Sequence, residues 1–194
     1  ANVYFLIVGL FSLIPGSPVE PAFQFVPMVV VIGVSMIKSL VEDLVRLKND
    51  KKQNSIPFDV FRDGTFKKVP SGDIKPGDIV WLESGVECPA DLLVLSTAEP
   101  NGCFYSNEVN LNGETAVKLK KSIFPEQAYS PTEVTQLTGE VRIPWPCPDI
   151  VKLDGVFSSD GTDYSFSMKN CMLRGVILAN TQWIIGLALY TGHD

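Results

Sequence analysis

Between Pro89 and Thr115 the chain reads PADLLVLSTAEPNGCFYSNEVNLNGET. Leu92 to Ser96 is a continuous apolar run of strand length, which predicts a buried strand. CFYSN at 103–107 alternates more openly and predicts a second, more exposed strand. The polar run SNEVNL then leads into Asn112-Gly113-Glu114-Thr115. Gly113 allows a tight turn, so Glu114 can project from its tip.

The same strand grammar extends in both directions. FDVF and TFKKV flank Arg62-Asp63-Gly64, and Asp-Gly is a strong hairpin signal. Lys75-Pro76-Gly77 predicts a turn before the strand-like DIVWL. VKLDGVFSS and DYSFSM predict another pair around Asp160-Gly161, and TQWIIGLALYTG a long last strand. Residues 121–150 hold five of the 14 prolines, which predicts an irregular or short-helix excursion. The expected fold class is therefore mainly β from residue 53 to 194, with no internal repeat or low-complexity tract.

Upstream of Ser55 the period is helical. Val3 to Pro15 and Ala22 to Ile37 are apolar runs separated by Gly16, Ser17, Pro18, Glu20 and Pro21. Each falls a little short of the ~20 residues of a spanning helix. The first is expected to be cut off at the start of the chain. The second continues as KSLVEDLVRLK, where Ile37, Leu40, Val41, Leu44 and Val45 recur at helical spacing. A helix from Ala22 to Lys51 would be about 45 Å long and would outrun a bilayer core of about 30 Å. Residues 1–52 thus read as an α-helical transmembrane hairpin with an amphipathic stalk. No Lys or Arg precedes Lys38, and Arg46, Lys48, Lys51 and Lys52 follow it. The positive-inside rule places that end, and the β body, in the cytosol. The protein is read as a multi-pass integral membrane protein.

Over 194 residues the net charge is −6, with Glu20 the only charge before Lys38. An acidic balance argues against a nucleic-acid partner, which needs a basic face. Cys88, Cys103, Cys147 and Cys171 form no CxxC pair and have only His193 as a possible companion, so they read as reduced thiols rather than a zinc site.

A single carboxylate on a glycine turn can orient and deprotonate a water, which makes Glu114 the candidate catalytic residue. On residue type alone, an Asn-Gly hairpin with an exposed Glu accounts for the same four residues. There is no GxxxxGK phosphate loop and no DKTG phosphorylation sequence, and one His excludes a Ser/His/Asp set. By itself the segment cannot turn over a nucleotide.

IKSLVEDLVRLKND, FRDGTFKKV, DIKPGDIV, ECPADLLVLS through NLNGET, LDG and NCMLRGVILANTQWIIGLALYTGHD resemble, in that order, the type IV P-type ATPases, the phospholipid flippases. The resemblance covers nearly the whole chain. It implies a fragment holding the first two membrane helices and the actuator domain, a distorted, jelly-roll-like β domain. It further implies that ATP, with Mg2+, phosphorylates an aspartate on other domains absent from this fragment. The actuator then turns its loop onto the aspartyl phosphate. Glu114 matches the glutamate that positions the hydrolytic water, Gly113 keeps the backbone close, and Thr115 braces the loop. The stalk from Lys38 to Lys52 links the domain to the bilayer. The implied partners are a membrane phospholipid, the nucleotide-binding and phosphorylation domains, and a small two-span accessory subunit.

Two positions depart from the flippase pattern. Asn112 stands where Asp is usual, and Ser12-Leu13 stands where members handling phosphatidylserine often carry paired glutamines. The competing expectation is an inactive regulatory module, such as a flippase-like region fused to a protist guanylate cyclase. A cation pump would typically show TGES at the loop and would need acidic ligands in the membrane, and none occurs between Ala22 and Ile37.

Overall fold

The computed structural model describes residues 21–124, 129–145 and 153–192, together with Val3, Ile7, Leu10, Phe11 and Ile14. Most of the first apolar run and nearly all of the Gly16–Pro21 loop lie outside the described residues, as do Cys147 and His193. Two compact units divide the chain, Ala1–Gln53 and Asn54–Asp194.

In the first unit, α1 (Pro21–Asn54) is one 34-residue helix, about 51 Å at 1.5 Å per residue. Pro21 begins it, where a fixed φ and a missing N–H cost nothing. Pro27 lies inside it and leaves the carbonyl of residue 23 without its helical donor. Lys51 and Lys52 occupy the last turn, where the helix dipole favours cations. Val29, Val30, Val34, Met36 and Ile37 are all exposed. Among the described residues, Phe25–Asn54 is the one helix long and apolar enough to cross a membrane. The helix expected from Ala22 to Lys51 is thus found as α1, whereas only Val3, Ile7, Leu10, Phe11 and Ile14 of the first apolar run are described.

The second unit is antiparallel β structure. Its strands are β1 (Pro57–Arg62), β2 (Thr65–Pro70), β3 (Ile79–Glu83), β4 (Asp91–Thr97), β5 (Cys103–Asn107), β6 (Val117–Lys121), β7 (Gly139–Arg142), β8 (Gly155–Ser159), β9 (Thr162–Phe166), β10 (Cys171–Met172), β11 (Ile177–Ala179) and β12 (Trp183–Tyr190). The single helical turns α2 (Val109–Asn112) and α3 (Pro131–Val134) interrupt them. One sheet runs β10-β4-β12-β3-β1-β2, a second β11-β5-β6 and a third β7-β8-β9.

Local chemistry explains the hairpins. Asp63 and Gly64 take φ of 52° and 80° between β1 and β2, and Asp160 and Gly161 take 51° and 77° between β8 and β9. Two successive left-handed residues match the twist of the flanking strands. Gly77 (φ 92°) follows Pro76, and Asp78 N–H closes the turn on the Lys75 carbonyl at 3.0 Å. Within 121–150, Ser130 and Glu133 form a reciprocal cap on α3, and β7 pairs with β8.

The core forms where β4, β12, β3 and β5 meet. Leu92, Leu93, Val94, Val80, Phe104, Ile184 and Ile185 are fully buried. β5 is less open than its alternation predicts. Cys103, Phe104 and Ser106 are all buried, because β5 is the middle strand of its sheet. Cys88, Cys103 and Cys171 are free buried thiols. Burial pushes Cys88 well above the ordinary thiol range and Cys171 up to about 12, so neither is a reactive thiolate.

Candidate functional site

The loop grows out of the end of β5. The Asn107 side-chain carbonyl accepts the Val109 N–H at 3.0 Å, which turns the chain into α2. Gly113 ends that turn at φ 75° and donates its N–H to the Val109 carbonyl at 3.0 Å. Asn112-Gly113 is therefore a helix C-terminus with a left-handed glycine cap, not a hairpin turn. A hairpin would fold the chain back at once. The cap instead throws Glu114 and Thr115 outward before β6 begins.

Asn112 organises the two residues beyond the cap. Its Oδ1 accepts the Glu114 N–H at 2.9 Å, and its Nδ2 donates to Glu114 Oε2 at 3.2 Å. Lys118 Nζ reaches the same Oε2 at 3.0 Å. The Glu114 side chain is still 58% exposed. Gly113 has open space where a side chain would be. Thr115 is exposed and makes no hydrogen bond among the described residues.

Beneath the loop lies an ionic cluster that the sequence reading did not single out. In the β5–β6 register Lys118 is opposite Ser106, and Lys120 is opposite Phe104, which places both lysines on one face. Glu108, with its side chain 14% exposed, receives Lys118 at 2.8 Å on Oε2 and Lys120 at 3.0 Å on Oε1. Lys120 is buried and also donates to the Cys171 carbonyl at 3.0 Å. Burial works to raise the Glu108 carboxyl, but hydrogen bonds from Lys118 and Lys120 outweigh it and hold that carboxyl below the usual range. The Lys118 ammonium is held above its usual range by hydrogen bonds to Glu108 and Glu114. The available signal was the Lys-x-Lys spacing, which aligns two cations on one strand face.

The loop is also tied to the strand system behind it. Asn110 Nδ2 donates to the Gly175 carbonyl at 3.1 Å, and the Gly175 N–H binds the Cys88 carbonyl at 3.0 Å. Arg174 N–H binds Asp91 Oδ1 at 2.8 Å. These bonds join the loop to the segments before β11 and β4.

The P-type ATPase actuator domain family matches residues 52–144, a stretch that contains β1 to β7 and the whole Asn112–Thr115 loop. Residues 52–144 belong to the P-type ATPase actuator domain family. Along its full length the chain is also 36% identical over 199 residues to a phospholipid-transporting ATPase of Schizosaccharomyces pombe. It is 32% identical over 195 residues to phospholipid-transporting ATPase tat-1 of Caenorhabditis elegans, and 34% over 197 to phospholipid-transporting ATPase IC of Homo sapiens. Each alignment takes in 100% of this chain, which spans only 16% or 17% of those proteins. The resemblance read from the sequence is the one these relatives carry. A solved zinc-transporting PIB-type ATPase in an E2.Pi state aligns with 73% of the chain and 15% of its own, at 13% identity and a TM-score of 0.39, a likeness too slight to inform the reading.

The sequence carries no GxxxxGK phosphate loop. Among the described residues no group of three His, Cys, Asp or Glu side chains is placed to hold a metal ion. What the loop does offer is one exposed carboxylate, held on one oxygen at the end of a capped helical turn.

Proposed function

We propose that this chain is the actuator and membrane-helix part of an ATP-driven phospholipid-translocating P-type ATPase, and that Glu114 positions the water that hydrolyses an aspartyl phosphate formed elsewhere in the longer protein. The observation that carries the reading is the geometry of Glu114. It stands exposed beyond the left-handed Gly113, and both its described contacts fall on Oε2. Oε1 is then the oxygen to take a proton from water. The water oxygen bonds to phosphorus, the bond from phosphorus to the acyl oxygen breaks, and the aspartate leaves as carboxylate. An acyl phosphate is already activated, so placing one water with one weak base is a sufficient contribution.

In this reading α1 spans the membrane and the actuator domain is cytosolic, because basic residues begin only at Lys38. The partners are a membrane phospholipid, the nucleotide-binding and phosphorylation domains of the same protein, and a two-span accessory subunit. The lipid that is carried is a phospholipid whose headgroup does not rely on side-chain amides at Ser12-Leu13.

The test is Glu114→Gln in the full-length protein. It should accept phosphate from ATP, accumulate phosphoenzyme and lose lipid transport, with decay slowed by about 10²–10⁴-fold. Unchanged decay rejects the role.

A further inference from the structure

We infer that Lys118 is a positioning residue for the hydrolytic step: it clamps the Glu114 carboxylate by one oxygen and is itself anchored on the buried Glu108. The inference rests on the proposed role of Glu114 and adds a residue to it.

Glu114 is exposed and sits past a glycine, so nothing in its own backbone restricts where the carboxylate points. Two donors do. Asn112 comes from the same loop and moves with it. Lys118 stands on β6, two residues into a strand whose pairing with β5 is regular from Val117 to Lys121. Lys118 therefore references Glu114 to the sheet, not to the loop.

The clamp would be loose if Lys118 were an ordinary surface lysine. It is not, because its ammonium lies 2.8 Å from Glu108 Oε2 and 3.0 Å from Glu114 Oε2. Glu108 is fixed in turn by the buried Lys120, which the Cys171 carbonyl holds from β10. The order Cys171, Lys120, Glu108, Lys118, Glu114 runs from core to tip. Each link is a charge-assisted hydrogen bond, and its strength falls as exposure rises. The outermost pair, with side chains 42% and 58% exposed, adds little to stability. Its effect is on orientation, which proximity catalysis rewards steeply.

The chemistry agrees on which oxygen is engaged. Lys118 and Asn112 both take Oε2, so the clamp leaves Oε1 for the water.

The experiment tracks phosphoenzyme decay in the full-length protein after phosphorylation from ATP, for Lys118→Gln, Lys118→Arg, Glu114→Gln and Lys118→Gln with Glu114→Gln. Lys118→Gln should slow decay by about tenfold or more, and Lys118→Arg, which keeps a cation in reach of both carboxylates, by less than about threefold. In the Glu114→Gln background the added Lys118→Gln should change decay by less than about twofold, because a clamp without its carboxylate has nothing to hold. A merely structural lysine would slow decay in both backgrounds, and that result overturns the inference. Decay of Lys118→Gln at the parental rate also overturns it, provided Glu114→Gln is slow. If Glu114→Gln decays at the parental rate, the reading of Glu114 itself has failed, whatever Lys118 does. Should Lys118→Gln yield no phosphoenzyme, Lys118→Arg decides: slowing below about threefold supports the clamp, and anything greater overturns it.

Discussion

Asn112 grips Glu114 with both ends of its amide, taking the backbone N–H at 2.9 Å and giving a hydrogen bond to the carboxylate at 3.2 Å. An aspartate could do the first and not the second. Asn112→Asp would keep the turn, lose one donor and bring a second carboxylate beside Glu114. The site is exposed, so solvent and salt screen that repulsion. Phosphoenzyme hydrolysis in the full-length protein should change by less than about tenfold, roughly 1.4 kcal/mol of barrier. A protein inert as it stands but active once Asn112→Asp is made would support the regulatory-module reading instead.

The Glu108 cluster should matter more to stability than to the loop. Removing Glu108 leaves Lys120 buried with only the Cys171 carbonyl among the described residues. Breaking a buried pair typically costs 3–5 kcal/mol, and the residual exposure of Glu108 puts Glu108→Ala at about 3 kcal/mol or less. Lys118→Ala, at an exposed link, should cost clearly less. Urea unfolding of the chain monitored by tryptophan emission measures both, and equal losses would contradict the inward gradient.

The same pair sets a pH dependence. The folded Glu108 carboxyl is depressed, so its contribution is complete above the unfolded glutamate value of about 4.3 and is lost as pH falls through the lower folded value. The folded Lys118 ammonium is raised, so its contribution is complete below the unfolded value of about 10.4 and is lost as pH climbs through the higher folded value. Stability should sag below about pH 4. Glu108→Gln should flatten that acid limb, and an unchanged limb would place the titration elsewhere.

Gly113 offers a clean separation of space from backbone. A Cβ there meets no atom within 4 Å, yet φ is 75°. Gly113→Ala should therefore cost about 1–2 kcal/mol through the left-handed backbone alone. Gly113→Asn should cost less, since Asn tolerates that region. Alanine and asparagine variants of equal stability in the same urea titration would show that the cap is not held left-handed.

Topology is open to thiol labelling in a cysteine-depleted full-length protein. A cysteine at Ser17 should react with an impermeant reagent added to the exoplasmic side, and one at the exposed Ser84 should not. Ser159 is a poor reporter, because it is buried and its hydroxyl donates to the Thr138 carbonyl at 2.9 Å. The reverse pattern rejects a cytosolic actuator domain.

The features legible in the sequence were those that neighbouring residues decide. Asp63-Gly64 and Asp160-Gly161 made hairpins because two left-handed residues are a local requirement. The helical period through Leu44 and Val45 ended in α1 for the same reason. The loop was half legible. Gly113 announced a special backbone, but whether Asn-Gly closes a hairpin or caps a helix depends on Asn107 having already started a helical turn. Glu108 was invisible as a functional residue, because its partners lie ten and twelve positions on and meet it only through the β5–β6 register.

The place of β12 has a consequence for biosynthesis. It lies between β3 and β4, and Trp183 pairs with Glu83, one hundred residues earlier. At about 5–20 residues per second, a ribosome makes β3 some 5–20 s before the strand that covers it. During that interval the apolar edges of β3 and β4 have no neighbour on their shared side. The nascent chain therefore passes through an adhesive stage that ends only when β12 fills the gap between β3 and β4.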